Sequence, residues 1–321
     1  MSISCSNNLI IGIDVSKSKL DICFGRDMKK ASILNNEDSI NGFVQRLPDE
    51  YRAGMVVMES TGGHEKLAHK LLTKANIAVH VAHPTRIFYF AKQKGCFAKT
   101  DAIDAKIIAE YGLQGNLIAS PIATEDKENL KELASRRTQL VELITAEKCR
   151  LKSNFGSQVT ESIRRTIQFF ESEIERVEHA MYAIIQNDAD LTKKLQIITS
   201  FTGIGKMTAS VLIGLLSELG IINRSKIACL AGLAPKNNDS GTRRGKRMIS
   251  GGRFYVRKAL YMPAMASIQH NKEMGDFFNR LVKTGRPKKI AITAVMRKML
   301  ITINAMVRDD KEWRKPYQTT V

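Results

Sequence analysis

The sequence feature that most constrains the fold is a set of seven apolar residues spaced alternately four and three positions apart. They are Ile163, Ile167, Phe170, Ile174, Val177, Met181 and Ile184. A 3.5-residue period places all seven on one side of a long α-helix and is typical of a coiled-coil seam. A weaker heptad precedes it at Leu133, Leu140, Ile144 and Leu151. We therefore predict a helical coiled-coil arm over residues 123–190. An intrachain hairpin and a coil between two chains both satisfy the pattern.

The sequence before the arm, residues 1–122, has an α/β pattern. Compact apolar runs predict strands, and the second run follows the first after a polar turn, as in a hairpin. The runs are Leu9–Val15, Leu20–Phe24, Met55–Met58 and Ile77–Ala82. Helical spacing follows Gly62 and Gly63, and it recurs from Asp101 to Gly112. We predict an α/β domain here.

Positive charge is concentrated after the arm. Residues 191–321 contain 25 Lys and Arg against 7 Asp and Glu, whereas residues 1–120 contain 15 against 12. This imbalance predicts a polyanionic partner, because neutralised phosphates release counterions; a solvated basic face is the alternative. The segment has an all-helical pattern. The turn Thr202–Gly205 between two apolar helices is similar to a helix-hairpin-helix, in which backbone amides approach a phosphate.

Several classes of protein are disfavoured by composition. Five cysteines are scattered without a CxxC spacing, which argues against a zinc site or a disulfide scaffold and fits a reducing compartment. No apolar run has the length of a membrane span, and the first residues lack a secretion signal. We expect a cytoplasmic protein with no membrane partner.

Four acidic residues are candidate metal ligands. Asp14 and Glu59 stand at the ends of two predicted strands, and Asp101 and Asp104 lie three residues apart on one predicted helix. Carboxylates brought together from several elements suit hard divalent cations. Taken alone, each of these acids is better explained as a turn residue or a helix cap, and it is the joint pattern of four that indicates a site.

A glycine-punctuated loop in the basic segment carries a candidate nucleophile. Ser240 is followed by four cations, Arg243, Arg244, Lys246 and Arg247. Such cations stabilise charge that develops at phosphorus. The loop offers no histidine or lysine placed as a base, so the residues alone favour a serine that is only part of a phosphate-binding turn. Gly203, Gly205, Lys206, Arg253 and Arg257 complete the predicted nucleic-acid contacts.

Taken together, these motifs resemble a known family. IGIDVSK, MESTG and KTDAIDAKIIAEYG, followed by GLAP, SG and a basic glycine loop, look like the insertion-sequence transposases with a DEDD tetrad, whose relatives include the Piv-type DNA invertases. The resemblance runs from Ile11 to about Arg308. It implies a RuvC-like (RNase H-like) mixed-sheet domain, a coiled-coil arm, and a basic helical domain at residues 191–321.

The resemblance also implies a mechanism and partners. Asp14, Glu59, Asp101 and Asp104 would bind Mg²⁺, with Mn²⁺ as a substitute, and Ser240 would form a covalent phosphoserine with DNA. The expected partners are donor and target double-stranded DNA, a structured guide RNA (the bridge RNA of this family), and further copies of the chain. Carboxylates of one protomer would meet the serine of another in a dimer of dimers. A RuvC-like junction nuclease using water, and a non-catalytic DNA-bridging protein, are the alternatives.

Overall fold

A computed structural model of the chain describes residues 9–96, 101–115, 117–122, 124–237, 239, 245 and 247–313, except the side chains of residues 101–103. The chain forms two compact units, Met1–Ala123 and Thr124–Val321. The first is α/β and the second is mainly helical, so the predicted fold class is confirmed.

The first unit is built on a five-stranded mixed sheet with the order β3-β2-β1-β4-β5. Its strands are β1 (Ile10–Val15), β2 (Lys19–Phe24), β3 (Lys30–Leu34), β4 (Met55–Glu59) and β5 (Ala78–Ala82). β1, β2 and β3 pair antiparallel as a meander, whereas β4 pairs parallel with β1 and β5 pairs parallel with β4. This arrangement agrees with the RuvC-like mixed sheet that the resemblance implies.

Alternation along the strands separates two layers of helices. The helices are α1 (Glu37–Arg46), α2 (Asp49–Arg52), α3 (Glu65–Lys74), α4 (Pro84–Gln93) and α5 (Asp101–Leu113). Ile11 and Ile13 of β1 share a core with residues of α1 and α3. Ile10 shares a second core with residues of α4 and α5. Gly12 and Asp14 follow Ile10 by two and four residues on the same strand. Asp14 therefore lies on the α4–α5 face of the sheet, because side chains alternate along a strand.

The second unit packs its helices around one large core. Its elements are α6 (Glu125–Arg150), α7 (Ser157–Gln186), α8 (Ala189–Ser200), α9 (Lys206–Leu215), α10 (Arg224–Leu230), β6 (Pro235–Lys236), β7 (Met248–Ile249), α11 (Phe254–His270), α12 (Lys272–Lys283) and α13 (Lys288–Arg308). The two-residue strands β6 and β7 were not predicted, because such short strands carry no alternation signal.

The predicted arm is an antiparallel pair of helices within one chain, α6 and α7. Ion pairs join them along their length: Arg137 Nε lies 2.6 Å from Glu178 Oε1, and Lys148 Nζ lies 2.9 Å from Glu171 Oε1. Their ends nearest α8 are part of the large core, through residues such as Leu130 and Met181. The arm is thus continuous with the core of the second unit.

In the described part of the chain, one helix, α13, has the length and apolar composition of a membrane span. Much of its surface is buried against the other helices of the unit. Its buried Asn304 accepts a hydrogen bond from the Gly220 amide and donates one to the Ile222 carbonyl, at 2.9 and 2.8 Å. These contacts make α13 a core helix of the second unit.

Candidate functional site

The ends of two neighbouring parallel strands carry the first two predicted acids. Ile13 of β1 pairs with Met58 of β4, so Asp14 and Glu59 are the next residues in register. Neighbouring strands lie about 4.8 Å apart. Both acids are half-buried, and each lies two residues after a residue of the α4–α5 face, Gly12 or Val57. The sheet itself therefore brings Asp14 and Glu59 together.

Helix α5 brings the third acid to the same place because a glycine allows close packing. A Cβ on Gly12 of β1 would lie 2.3 Å from the Ala109 nitrogen and 2.4 Å from the Ala105 oxygen. Only a residue without a side chain lets the α5 backbone lie directly on β1. Asp104 directly precedes Ala105 and is carried to the end of the strand where Asp14 stands. Asp101 is the first residue of α5, and its side chain lies outside the described part of the structure.

Asp14, Glu59 and Asp104 line one cavity of about 310 Å³ on this face. Its walls come from β1, β4, α4, α5 and the loop after β4, and its remaining lining residues are Thr61, Pro84, Ile87, Phe88, Ala91, Lys92, Cys96 and Ile107. Three carboxylates around one cavity provide the oxygen donors that Mg²⁺ prefers. The chemical type of these residues therefore fits the cation that the family resemblance implies. Within the described side chains, no group of three or more His, Cys, Asp or Glu is already gathered closely enough to hold an ion.

The loop after β4 is held by Glu65, a residue that our sequence analysis did not select. Its Oε2 accepts hydrogen bonds from the Thr61 and Gly63 amides at 3.1 and 2.9 Å, and its Oε1 accepts one from the Ser60 hydroxyl at 3.0 Å. Burial alone would raise the pKa of Glu65, but these hydrogen bonds outweigh it and lower the pKa below its ordinary value. Glu65 thereby fixes the loop that directly follows Glu59.

His69, His80 and His83, which lie near Glu59 in sequence, have structural partners. His83 caps α4 by accepting a hydrogen bond from the Thr85 amide at 3.2 Å. Rings of His69 and His80 bond to the carbonyls of Ser120 and Ile118 at 3.0 and 2.8 Å. These contacts tie the segment before the arm to the edge of the sheet.

In the second unit, β6 and β7 form the base of a hairpin, with Pro235 opposite Ile249 and Lys236 opposite Met248. The predicted nucleophile Ser240 belongs to the segment between these strands and lies outside the described residues, as do Arg243, Arg244 and Lys246. Arg247 is described and exposed.

The base of this hairpin is fixed by arginines that were predicted as nucleic-acid contacts. The Arg253 guanidinium binds both carboxylate oxygens of Glu218 at 2.6 Å and the Leu215 carbonyl at 2.8 Å. Burial would raise the pKa of Glu218, but the Arg253 guanidinium holds it below its ordinary value. Arg257 donates to the carbonyls of Ala231 and Gly251. Arg257 thus joins the segment before β6 to the segment after β7, and Arg253 joins the start of α11 to the end of α9.

The two glycines of the turn between α8 and α9 have different surroundings. Gly203 has a φ of +101°, and a Cβ there would lie 2.4 Å from the Ser267 hydroxyl on α11. Gly205 has open space around it and caps α9 without a side-chain hydrogen bond, next to the exposed Lys206. Close packing on α11 therefore accounts for Gly203, whereas Gly205 stands at the start of α9, where no side chain caps the helix.

A second basic loop was missed by the sequence analysis. Lys283, Arg286, Lys288 and Lys289 are exposed or half-exposed around the turn between α12 and α13. The signal that identifies them is four cations within seven residues, KTGRPKK, without an acid.

Comparisons with known proteins match parts of both units, and the first match extends past the end of the first unit into α7. The DEDD transposase domain of the IS110 type matches residues 11–157, and a domain described as "Transposase IS116/IS110/IS902 family" matches residues 195–279. The pilin gene-inverting protein of Moraxella lacunata is 27% identical over 318 residues, which cover 95% of this chain and 97% of the relative. That of Moraxella bovis is 27% identical over 315 residues, with the same coverage.

A shorter match covers 115 residues of an IS110 insertion-element protein from Streptomyces coelicolor, with 27% identity, 35% of this chain and 28% of the relative. Both family domains occur in order, and together they span most of the chain. The chain therefore belongs to the IS110 family of DEDD transposases, enzymes that act on DNA, and is related to the pilin gene-inverting proteins.

Proposed function

We propose that this transposase cuts and rejoins DNA through a covalent phosphoserine at Ser240, together with a divalent-metal site at Asp14, Glu59, Asp101 and Asp104. The observation that carries the proposal is the shared cavity of Asp14, Glu59 and Asp104, three acids that are far apart in sequence. The Moraxella relatives are named for inverting a gene, which fits strand exchange without net hydrolysis.

The four acids have two proposed roles, which are to hold the cation and to accept a proton. A bound Mg²⁺, or Mn²⁺ in its place, would lower the pKa of a ligated hydroxyl and stabilise charge on the leaving oxygen. Asp14 and Glu59 stand on the rigid sheet, whereas Asp101 and Asp104 come from the first turn of α5. Donors on regular elements keep their positions when a substrate arrives.

The proposed first step exchanges one phosphodiester bond for another without hydrolysis. The Ser240 hydroxyl oxygen attacks phosphorus, the new O–P bond forms, and the bond from phosphorus to one deoxyribose oxygen breaks. The serine proton goes to the carboxylate cluster, and the leaving oxygen takes up a proton to become a free hydroxyl. A hydroxyl of the partner strand then attacks the phosphoserine, so that a new O–P bond to that strand forms and the bond from phosphorus to the serine oxygen breaks. The proton of the attacking hydroxyl goes to the carboxylate cluster, and the serine oxygen takes up a proton to become a hydroxyl again.

The basic unit is the proposed binding surface for nucleic acid. Gly205, Lys206 and Arg247 are exposed, and Arg243, Arg244 and Lys246 adjoin Ser240 in sequence. Arg253 and Arg257 have protein partners, so their proposed contribution is to position this loop as well as to add charge. Gly203 permits the turn by packing on α11.

The proposal extends to partners. The charge of residues 191–321 is large enough to hold a structured guide RNA together with donor and target duplexes. We further propose that carboxylates of one protomer act with Ser240 of another, within a dimer of dimers associated through the arm. Recovery of a discrete folded RNA from protein co-expressed with its element ends tests the RNA; its absence from active complexes refutes it.

A covalent adduct is the direct test of the chemistry. Wild-type protein, labelled DNA and Mg²⁺ should give a protein–DNA adduct, which Ser240→Ala abolishes. Ser250→Ala is the matched control, since Ser250 is an exposed serine just after β7. Metal-dependent cutting without any adduct would identify a nuclease that uses water. Binding without cutting in Mg²⁺ or Mn²⁺ would identify a bridging protein.

A mixing experiment tests the composite site. Ser240→Ala and Asp14→Ala proteins, each inactive, should regain strand joining when mixed, because each supplies the part that the other lacks. Asp27→Asn, in the turn between β2 and β3, is the control and should stay active alone. Failure to complement, with both proteins folded and assembled, refutes the composite site.

A further inference from the structure

A charge asymmetry lies within the first unit, although the unit is nearly neutral as a whole. Between Glu65 and Asp101 the chain has seven Lys and Arg and no Asp or Glu. This acid-free stretch contains the whole of α4, which forms one wall of the carboxylate cavity. Of the seven cations, Lys92 lines the carboxylate cavity, so a cation stands in the same space as the three acids.

Helix α4 also exposes two aromatic rings. Phe88 is 47% exposed and Tyr89 is 64% exposed, whereas Ile87 and Phe90 on the same helix are buried in the core. The two exposed rings lie 5.5 Å apart, edge to face. The core therefore does not account for Phe88 and Tyr89, which leave large apolar faces in solvent.

A cation lies over one of these rings. The Lys92 ammonium lies 4.5 Å from the centre of the Phe88 ring, one helical turn on, and both residues line the cavity of Asp14, Glu59 and Asp104. Neither Lys92 nor Arg86 forms an ion pair with another described residue, in contrast to Lys94, whose Nζ lies 3.5 Å from Glu110 Oε2. Lys92 and Arg86 thus have charge available for a ligand.

The opposite side of α4 borders a second depression, which is open and shallow. It is lined by Thr85, Arg86, Tyr89, Phe90, Gln93 and Tyr111. Tyr89 therefore borders the open groove, and Phe88, whose ring lies next to that of Tyr89, borders the carboxylate cavity. A linear ligand crossing α4 would meet an arginine, two aromatic faces and a lysine before it reached the acids.

We propose that α4 binds an unpaired DNA strand and leads it into the carboxylate cavity, with Phe88 and Tyr89 stacking on bases and Arg86 and Lys92 contacting phosphates. Exposed aromatic faces between cations are the usual platform for single strands, whereas in a duplex the base faces are covered by their neighbours. The inference rests on the proposed function, because DNA is the strand that the acids would process. It adds that the strand is unpaired where it crosses α4.

Site-specific photocrosslinking tests this placement. Full-length Ser240→Ala protein in EDTA is mixed with a short DNA strand containing 5-iododeoxyuridine, irradiated and digested with trypsin. We expect the crosslinked DNA on the peptide Ile87–Lys92, which trypsin releases after Arg86 and Lys92. A blunt duplex of the same sequence should give far less of this product. Crosslinks only on peptides of the second unit, or equal crosslinking of the duplex, would overturn the proposal.

Variants test the two ligand contacts separately. Phe88→Ala combined with Tyr89→Ala should weaken binding of the unpaired strand about 5- to 150-fold per lost stacking contact. Tyr89→Phe should retain it. Lys92→Gln should reduce the slope of log affinity against log salt by about 0.7. Leu34→Ala and Lys70→Ala are matched controls, exposed residues of the same unit outside the cavity. Unchanged crosslinking at Ile87–Lys92 in the double variant overturns the stacking roles.

Two further outcomes are informative. Preferential crosslinking of an RNA strand of the same sequence would contradict the DNA assignment and place RNA on α4. The experiment needs neither metal nor the serine, so its failure is distinguishable from failure of the recombination chemistry. Loss of the adduct in the wild-type protein with retained crosslinking would refute the proposed function alone.

Discussion

Glu65 shows how one residue outside the DEDD set controls the position of another. Its carboxylate accepts hydrogen bonds from two amides and one hydroxyl of the loop that follows Glu59. Gly62 and Gly63 in that loop have φ values of +75° and +115°, which only glycine adopts without strain. The loop therefore depends on two glycines for its path and on one buried carboxylate for its closure.

We predict that Glu65→Gln destabilises the first unit by about 1–3 kcal/mol at neutral pH, because the amide replaces one acceptor oxygen by a donor and removes the charge. The folded-state pKa of Glu65 is lowered, so its stabilisation is present above the unfolded-state pKa and is lost as pH falls through the folded value. The difference between wild type and variant should therefore shrink on acidification below about pH 4.5. Urea unfolding followed by circular dichroism measures it.

Glu37→Gln is the control for this pH dependence, since Glu37 is an exposed acid in the first turn of α1. Its stability should follow that of the wild type at every pH. A Glu65→Gln difference that stays constant from neutral to acid pH would show that the charge of Glu65 contributes nothing.

Asp14, Glu59 and Asp104 could be selected from sequence because each stands beside a strong local signal, an apolar strand or a helical repeat. Glu65 could not be selected, because its role depends on three hydrogen-bond donors of the loop. These donors come together only after the loop has folded. Arg253 shows the converse: among so many cations, its pairing with Glu218 is invisible in sequence. The charge pattern identified the basic unit. It did not show which of the cations already bind an acid within the protein.

At the scale of elements, the packing of α5 on β1 decides where Asp104 lies. The two elements touch backbone to backbone at Gly12, Ala105 and Ala109. Gly112, further along α5, packs similarly against Ile10 and Val57, since a Cβ there would lie 2.5 and 3.0 Å from their methyl groups. Two glycines, one on each element, thus set the distance between the helix and the sheet.

We predict that Gly12→Ala costs about 1–3 kcal/mol or more and abolishes Mg²⁺-dependent DNA cutting, since the new methyl group must push α5 away from β1 and displace Asp104. Gly156→Ala, at the start of α7 where nothing lies within 4 Å, is the matched control and should be neutral. Urea unfolding and a cleavage assay measure the two effects. A Gly12→Ala protein with wild-type cutting would show that the position of α5 is not critical.

The turn between α8 and α9 gives a prediction that separates packing from binding. Gly203→Ala should destabilise the second unit by about 1–3 kcal/mol, because alanine is strained at positive φ and meets Ser267. Gly205→Ala should leave stability nearly unchanged, yet weaken DNA binding by crowding the open amides. Trp313, the single tryptophan, packs on Phe201 beside this turn, so its fluorescence reports the unfolding. Equal effects of the two substitutions on stability would contradict this division.

Elements with a long repeat were predictable, whereas those defined by their neighbours were not. The period of α7 and the apolar runs of β1, β4 and β5 are visible because a buried face must repeat. β3 is an exposed edge strand, and β6 and β7 are two residues each, so none carries a buried stripe. The heptads could not show whether the arm pairs within the chain, since the same apolar seam can pack on a helix of the same chain or of a second chain.

At the scale of the whole molecule, charge is divided among surfaces with different partners. The first unit combines acids with the cations of α4 around one cavity, whereas the last 131 residues carry the net positive charge. Among the described residues that the sequence analysis did not select, those of the loop between α12 and α13 carry the largest exposed concentration of that charge. Its cations have no acidic residues between them in sequence, so a duplex backbone is the expected partner.

We therefore predict that replacing Arg286, Lys288 and Lys289 together by alanine weakens duplex binding and flattens its salt dependence. Three lost phosphate contacts reduce the slope of log affinity against log salt by up to about 2.7. Replacing the exposed Lys127, Lys131 and Arg136 of α6 removes the same charge from a segment rich in acids, so that control should change the slope much less. Fluorescence anisotropy of a labelled duplex over a range of salt concentrations measures both. Equal slopes for the two triple variants would mean that net charge, and not the position of this loop, governs binding.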